Sequence, residues 1–328
     1  MTKLLGFLLK IAISIALVWI VLFKVNLFNS EGRQDLFTLI IKANVNFLVL
    51  SFLIGLLLNF ISAMKWWILL RYRGVLSPFW HVWSLYYVGK FYNLFLPTSV
   101  GGDIVRVYGL GVTTGQNIEA MASVIVDRFT GFITLIVLAT ASLVFGFAAS
   151  EIVAIGTGLV LILIVPLGLS WALLSRWFVR VMGRYTSDVS LLGRLANKSI
   201  ELRSTILAYG SSKILVPAFL FTLLFYFFSI INVWVSALVF NGDVALQEVG
   251  IAVPIIMVVM NFPVSIGGIG LMEMAYTYGF DTIGLGATLG LSTALLMRIK
   301  SILDALIGGC LHFFLGIAPK AINPEEST

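Results

Sequence analysis

Long apolar runs, separated by short charged loops, set the pattern of this chain. They cover about 5–27, 46–71, 117–148, 152–175, 214–240 and 284–316. Each reaches the roughly 18 to 20 residues that a helix needs to cross a bilayer core about 30 Å thick. Two more apolar stretches, 78–110 and 248–280, are interrupted. In the first, Trp80, Trp83, Tyr86, Tyr87, Phe91 and Tyr92 form the kind of aromatic belt enriched at membrane–water interfaces. They lead into Asn93-Leu-Phe-Leu-Pro97-Thr-Ser99-Val-Gly101-Gly102-Asp103. The second is broken at Pro263-Val-Ser265-Ile-Gly267-Gly268-Ile-Gly270. Proline removes a backbone donor and paired glycines loosen a helix, so the chain is expected to break at both places. The pattern predicts an all-α polytopic membrane protein with about six full spans and two broken re-entrant helical segments.

Composition agrees with that class. Hydrophobic residues make up 60% of the 328 and charged residues 11%, about half of what a soluble domain carries. The net charge of +6 does not point to nucleic acid, because most charges sit in short loops between spans. A lone Cys310 inside an apolar run excludes an internal disulfide and a cysteine-based metal cluster. His81 and His312 are far apart, with no partner at ligand spacing, so no metal site is expected. Lys3 and Lys10 precede the run 11–23, and no small-x-small cleavage site follows, so it reads as a retained signal-anchor helix.

With the N-terminus inside, Lys3, Lys10, Arg71, Arg73, Arg106 and the segment 176–213 fall on the cytoplasmic side. Glu31, Asp35, Glu151, Asp243, Glu248 and Asp281 fall on the other. This is the positive-inside asymmetry expected of a cell-membrane protein with both termini cytoplasmic. Segment 176–213 carries a net +5. Leu192, Leu195, Leu202 and Ile206 recur there at helical spacing, either as a surface-lying amphipathic helix or simply as a basic loop.

The two breaks share the pattern Pro-x-Ser-aliphatic-Gly-Gly at an offset of 166. Trp66 with Trp234 and Gly74 with Gly242 repeat at 168, and Arg128 with Arg298 at 170. Residues 1–148 and 152–316 therefore read as two copies of one unit, leaving 317–328 as a polar tail. An odd number of crossings per unit inverts the second copy, the design of many secondary transporters. Matched helix interruptions then point to a substrate site near the midplane. The plainer alternative is that proline and glycine only let spans pack closely.

Each helix is expected to restart just after its Gly-Gly pair, leaving amides without intrahelical partners that attract a phosphate or carboxylate. Pro97, Gly101, Gly102, Gly267 and Gly268 shape the breaks, and Ser99 and Ser265 add hydroxyl donors. Charges inside spans are costly and therefore functional candidates. Arg106, Arg128, Arg298 and Glu273 are the expected headgroup contacts, with Lys65, Asp103, Asp127, Lys300 and Asp304 in support. Asp103 is equally placed to cap its own helix, and Lys65 to snorkel. Ion pairing that locks the bundle is the alternative for Asp127, Arg128 and Asp304. Ser-Ile-Gly-Gly-Ile-Gly is no dinucleotide loop, because no strand precedes it.

Four motifs in order resemble one family: Lys65-Trp-Trp-Ile-Leu-Leu-Arg71, Phe95-Leu-Pro-Thr-Ser-Val-Gly-Gly-Asp103-Ile-Val-Arg106, Val126-Asp-Arg128-Phe-Thr-Gly131 and Ser265-Ile-Gly-Gly-Ile-Gly-Leu-Met-Glu273. Together they are similar to the lysylphosphatidylglycerol synthase transmembrane region, also called the flippase-like family, over about 5–316. The resemblance implies a lipid-translocating module, as in the multiple peptide resistance factor, with relatives in glycolipid and polyprenyl-linked glycan pathways. Two departures stand out. After residue 316 only a short tail remains, so the aminoacyltransferase domain is expected to be absent and no lysyl-lipid synthesis is expected. Met272 stands where relatives often have a basic residue.

The leading expectation is a flippase or transporter for an anionic-headgroup phospholipid or a polyprenyl-phosphate-linked glycolipid, with no catalytic residues and no cofactor. A membrane-embedded accessory subunit or enzyme of lipid or glycan synthesis is the first alternative, with Asp103 and Glu273 as its only candidate bases. A small-anion transporter is the second. The protein's expected partners are membrane lipid and a separate lipid- or glycan-synthesis enzyme, but not nucleic acid.

Overall fold

The structure, a computed structural model, describes residues 2–96, 101–146, 174–184, 191–241, 243–262 and 264–315, with Gly158, Gly168 and Ala172 as isolated positions. These residues form twelve α-helices and no strand. They are α1 (Thr2–Lys24), α2 (Ser30–Ile41), α3 (Val45–Tyr72), α4 (Phe79–Phe95), α5 (Gly101–Thr114) and α6 (Asn117–Gly146). After them come α7 (Arg176–Met182), α8 (Leu191–Ala208), α9 (Ser212–Leu238), α10 (Leu246–Met260), α11 (Leu271–Thr282) and α12 (Ala287–Leu315). A short 3-10 turn, Ile266–Gly268, lies between α10 and α11.

The long apolar runs become long helices because nothing inside them competes with helix. Asn44 starts α3 by accepting from the amides of Asn46 at 3.0 Å and Phe47 at 3.4 Å. Among the described residues, Val45–Tyr72, Asn117–Val144 and Ser212–Leu238 are long and apolar enough to cross a membrane. Their exposed faces fit that solvent. Leu53, Leu56 and Phe60 of α3, and Leu220, Leu223 and Phe227 of α9, are large apolar side chains left uncovered. A row of this kind is stable only against hydrocarbon or a partner. The chain is an all-α polytopic membrane protein. Pro97, Ser99 and Pro263, the expected span over 152–175 and the tail 317–328 lie outside the described residues.

Two expectations need adjustment. The run 5–27 ends at Lys24, and the polar sequence after it folds as a separate short helix, α2, which packs on α12. The segment 176–213 holds two helices, and Leu202 and Ile206 of α8 pack on a protein cluster that includes Ala122, Val126, Tyr209 and Ile214. Only part of the apolar stripe, Leu195 for one, remains exposed.

Packing is reciprocal between the two halves. Helix α3 lies along α9. The contact of α4 with α12 is answered by α10 with α6, that of α5 with α6 by α11 with α12, and that of α8 with α6 by α2 with α12. Local bonds repeat as well. Trp67 Nε1 donates to Ser77 O at 3.0 Å and Trp234 Nε1 to Val244 O at 2.8 Å, each ten residues on. Trp67, rather than Trp66, is therefore the counterpart of Trp234; Trp66 Nε1 donates to Ser123 Oγ at 2.9 Å.

Loops gather at two ends. At one, Lys24 pairs with Asp281 at 2.7 Å and Asn44 N donates to Val239 O at 2.7 Å. At the other, Arg73 pairs with Glu119 at 2.9 Å, and this hydrogen bond raises the arginine above its ordinary pKa. In each case the two loops are ones that the hydropathy pattern expects on the same side.

Candidate functional site

The two interruptions face one space. A cavity of about 1030 Å³ lies between the halves, a volume at the top of the usual range for ligand pockets. Asp103 and Arg128 reach it from the first break, and Ser265, Gly267 and Gly268 from the second. Phe129, Phe132, Phe225, Met257, Met260 and Met297 add apolar side chains to its lining. A side chamber of about 230 Å³ adjoins it, lined by Lys65, Arg106, Asp127 and again Arg128.

The breaks are built differently. At the first, Gly101 and Gly102 already lie within α5, so the helix does not wait until after the glycine pair. The Gly102 amide is already taken by Asn93 Oδ1 at 2.7 Å. A Cβ on Gly102 would lie 2.0 Å from Gly89 O, so α4 and α5 cross here at glycine contact. The pair thus serves close packing, and at Gly102 the expected open amide is filled from within. At the second break, Gly267, Gly268 and Gly270 all have positive φ, of 56°, 70° and 80°. The helix restarts only at Leu271, after Gly270 N has been capped by Glu273 Oε2 at 2.8 Å. Here glycine is needed for conformation.

The charged residues sort into four sets. Asp103 is buried and held by Arg106 Nη2 at 2.5 Å and Arg128 Nε at 2.7 Å. Arg106 also lies over the rings of Trp66 and Tyr86, at 4.9 and 5.1 Å. Lys65 does not snorkel; it is buried and grips Asp127 Oδ1 at 3.0 Å. Adjacent Asp127 and Arg128 do not pair with each other: Asp127 belongs to Lys65, and Arg128 to Asp103. Side chains at adjacent helical positions point about 100° apart, which is why the neighbours do not meet.

Arg298 is a structural clamp in this geometry. Its Nε and Nη2 bond Glu273 at 2.9 and 3.1 Å, and Nη1 and Nη2 bond Gly267 O and Gly268 O at 2.8 and 2.7 Å. Four of the five N–H groups of a guanidinium are thereby used within the protein. Arg298 and Glu273 do not line the cavity. Arg128 is the opposite case: its side chain is 47% exposed and lines both the cavity and the chamber.

Two polar groups on the cavity were not evident from sequence. Lys90 of α4 donates to Asp304 Oδ2 at 2.7 Å and to Asn59 Oδ1, while Asn59 Nδ2 bonds Asp304 Oδ1 at 3.0 Å. Asn232 and Ser236 of α9 accept from Lys300 Nζ at 2.9 and 2.8 Å. Asparagines inside runs as apolar as 46–71 and 214–240 were the available signal. Ser265 Oγ is buried and has no hydrogen-bond partner among the described residues.

Comparison decides the family. The family model described as the lysylphosphatidylglycerol synthase TM region matches residues 7–308. The chain belongs to that family. The match spans both breaks and every charged set above. No curated protein and no solved structure matches the chain. Membership in the lysylphosphatidylglycerol synthase TM region family points to a membrane lipid-related function.

Proposed function

We propose that this protein moves an anionic-headgroup lipid between membrane leaflets, with the headgroup passing through the cavity between the two helix breaks. The observation that carries this reading is the cavity's mixed lining, in which Arg128, Lys90, Lys300 and Ser265 stand among phenylalanine and methionine side chains. That mixture fits an amphiphile better than a small hydrated anion, which needs no apolar lining. Reciprocal packing of the halves supports an inverted pair that rocks about the shared α3–α9 contact. We place it in the cell membrane with both termini cytoplasmic, working without a catalytic step and beside a separate lipid- or glycan-synthesis enzyme.

The test is reconstitution of the purified chain into vesicles with a fluorescent phosphatidylglycerol, read by quenching of the outer leaflet. Transport predicts that a larger fraction of label becomes accessible than in empty vesicles, and that Arg128→Gln removes most of the gain. Accessibility equal to empty vesicles for every anionic lipid offered counts against the reading.

A further inference from the structure

Five cationic side chains line the cavity and its side chamber: Lys65, Lys90, Arg106, Arg128 and Lys300. Three carboxylates face them: Asp103, Asp127 and Asp304. Residues 97–100, beside the first break, carry no charge. Two positive charges are therefore unmatched.

The pairings say where they are. Lys90 and Asp304 neutralise each other. Lys65, Arg106 and Arg128 share Asp103 and Asp127, which leaves one excess charge at the first break. Lys300 is the other. It is only 7% exposed, and among the described residues it makes no salt bridge. Its Nζ bonds are to the neutral oxygens of Asn232 and Ser236. Asp304, one turn along the same helix, is occupied by Lys90 and Asn59. A buried ammonium among neutral acceptors is destabilised until an anion reaches it. Helix α9 runs between the two places. Tyr226, whose hydroxyl donates to Gly131 O beside Arg128, and Asn232, which holds Lys300, both line the cavity. Six residues of helix separate them by about 9 Å. Ser265 lines the same space, with its hydroxyl buried and unpartnered among the described residues.

We propose that the cavity seats a headgroup with two negative charges, one beside Arg128 and one on Lys300. This rests on the lipid reading above for what the ligand is attached to, and on the charge count for the headgroup itself. The chemistry is a pair of phosphate groups, as in a diphosphate ester or a bis-phosphodiester, rather than a single phosphodiester.

The experiment measures binding to the full chain in nanodiscs of phosphatidylcholine. Three short-chain lipids are compared: a phosphatidylglycerol with one charge, a cardiolipin with two phosphodiesters, and a polyprenyl diphosphate. At least one two-phosphate lipid is expected to bind about tenfold tighter than phosphatidylglycerol. Which of the two does so identifies the source. Lys300→Gln should erase the advantage and Lys300→Arg should keep much of it. Equal affinity for one and two charges in the unmodified protein overturns the proposal without any variant. An advantage that survives Lys300→Gln overturns the seat at Lys300. Tight two-phosphate binding with no lipid crossing would sink the transport reading alone. Crossing of phosphatidylglycerol with no preference for two charges would sink this inference alone.

Discussion

Arg298 grips both carboxylate oxygens of Glu273, at 2.9 and 3.1 Å, from a position twenty-five residues further along the chain. Arg128 stands at the same spacing from Asp103, which it holds at 2.7 Å. In each half an acidic residue in the first turn after the break is tied to an arginine inside the next long helix. The two differ in what else the arginine does. Arg298 also fastens the carbonyls of Gly267 and Gly268, whereas Arg128 turns its exposed part to the cavity.

Arg298→Gln should therefore act on stability first. It strips a buried carboxylate of its partner and releases two carbonyls, and breaking such a pair costs about 3–5 kcal/mol. Arg298→Lys should recover little, because one ammonium does not reproduce a planar fork. Thermal unfolding in detergent measures both. An Arg298→Gln protein that melts with the wild type would remove the clamp from the account.

The glycine pairs predict opposite sensitivities. A methyl at Gly102 meets Gly89 O at 2.0 Å, a backbone atom that moves only if α4 and α5 part. At Gly268 the nearest atoms are the tips of Arg298 at 4.0 Å, and the penalty is the positive φ of 70°, about 1–2 kcal/mol. Gly102→Ala is expected to lower the melting temperature more than Gly268→Ala. The reverse order would mean that the crossing of α4 and α5 yields easily.

These contrasts mark what the sequence could and could not say. Hydropathy located α3, α6, α9 and α12 to within a few residues, because apolar length alone decides a long helix in lipid. Pro-x-Ser-aliphatic-Gly-Gly located both breaks. It did not reveal that Gly102 packs while Gly267 turns, since a glycine's role depends on what stands against it. Adjacent Asp127 and Arg128 invited a pairing that helical geometry forbids. Their true partners, Lys65 and Asp103, are sixty-two and twenty-five residues away, and only the fold brings them close. Lys90 carried no signal in the sequence, because its partner Asp304 lies 214 residues away.

Sidedness can be read from two close pairs. In a Cys310→Ser background, Lys24→Cys with Asp281→Cys should be bridged by a bifunctional thiol reagent whose spacer replaces the native side chains, which meet at 2.7 Å. Arg73→Cys with Glu119→Cys should be bridged in the same way, in place of side chains that meet at 2.9 Å. An impermeant thiol reagent added to intact cells should block the first pair and spare the second. Equal blocking of both pairs would contradict the placement of these loops on opposite sides.

Re-pairing of the central charges gives the sharpest test of the site. Lys65 is held to Asp127 at 3.0 Å, and the next cation, Arg106, is 4.0 Å from that carboxylate. Lys65→Met should leave Asp127 poorly matched and lower stability, and adding Asp127→Asn should restore much of it. Arg128→Gln leaves Asp103 with Arg106 at 2.5 Å, so its loss of stability should be smaller, and Asp127→Asn should not rescue it. In double-mutant cycles, Lys65 with Asp127 should show a coupling of about 0.5–3 kcal/mol, as contacting charges do, and Arg128 with Asp127, linked only through Asp103 and Arg106, a smaller one. Lipid translocation should separate the two residues in the other direction. Arg128→Gln should abolish it in a protein that is still folded, because the lost group is the one exposed to the cavity. A strong Arg128–Asp127 coupling, with transport recovered in that double variant, would return Arg128 to a purely structural role and leave Lys300 and Lys90 as the cavity's cations.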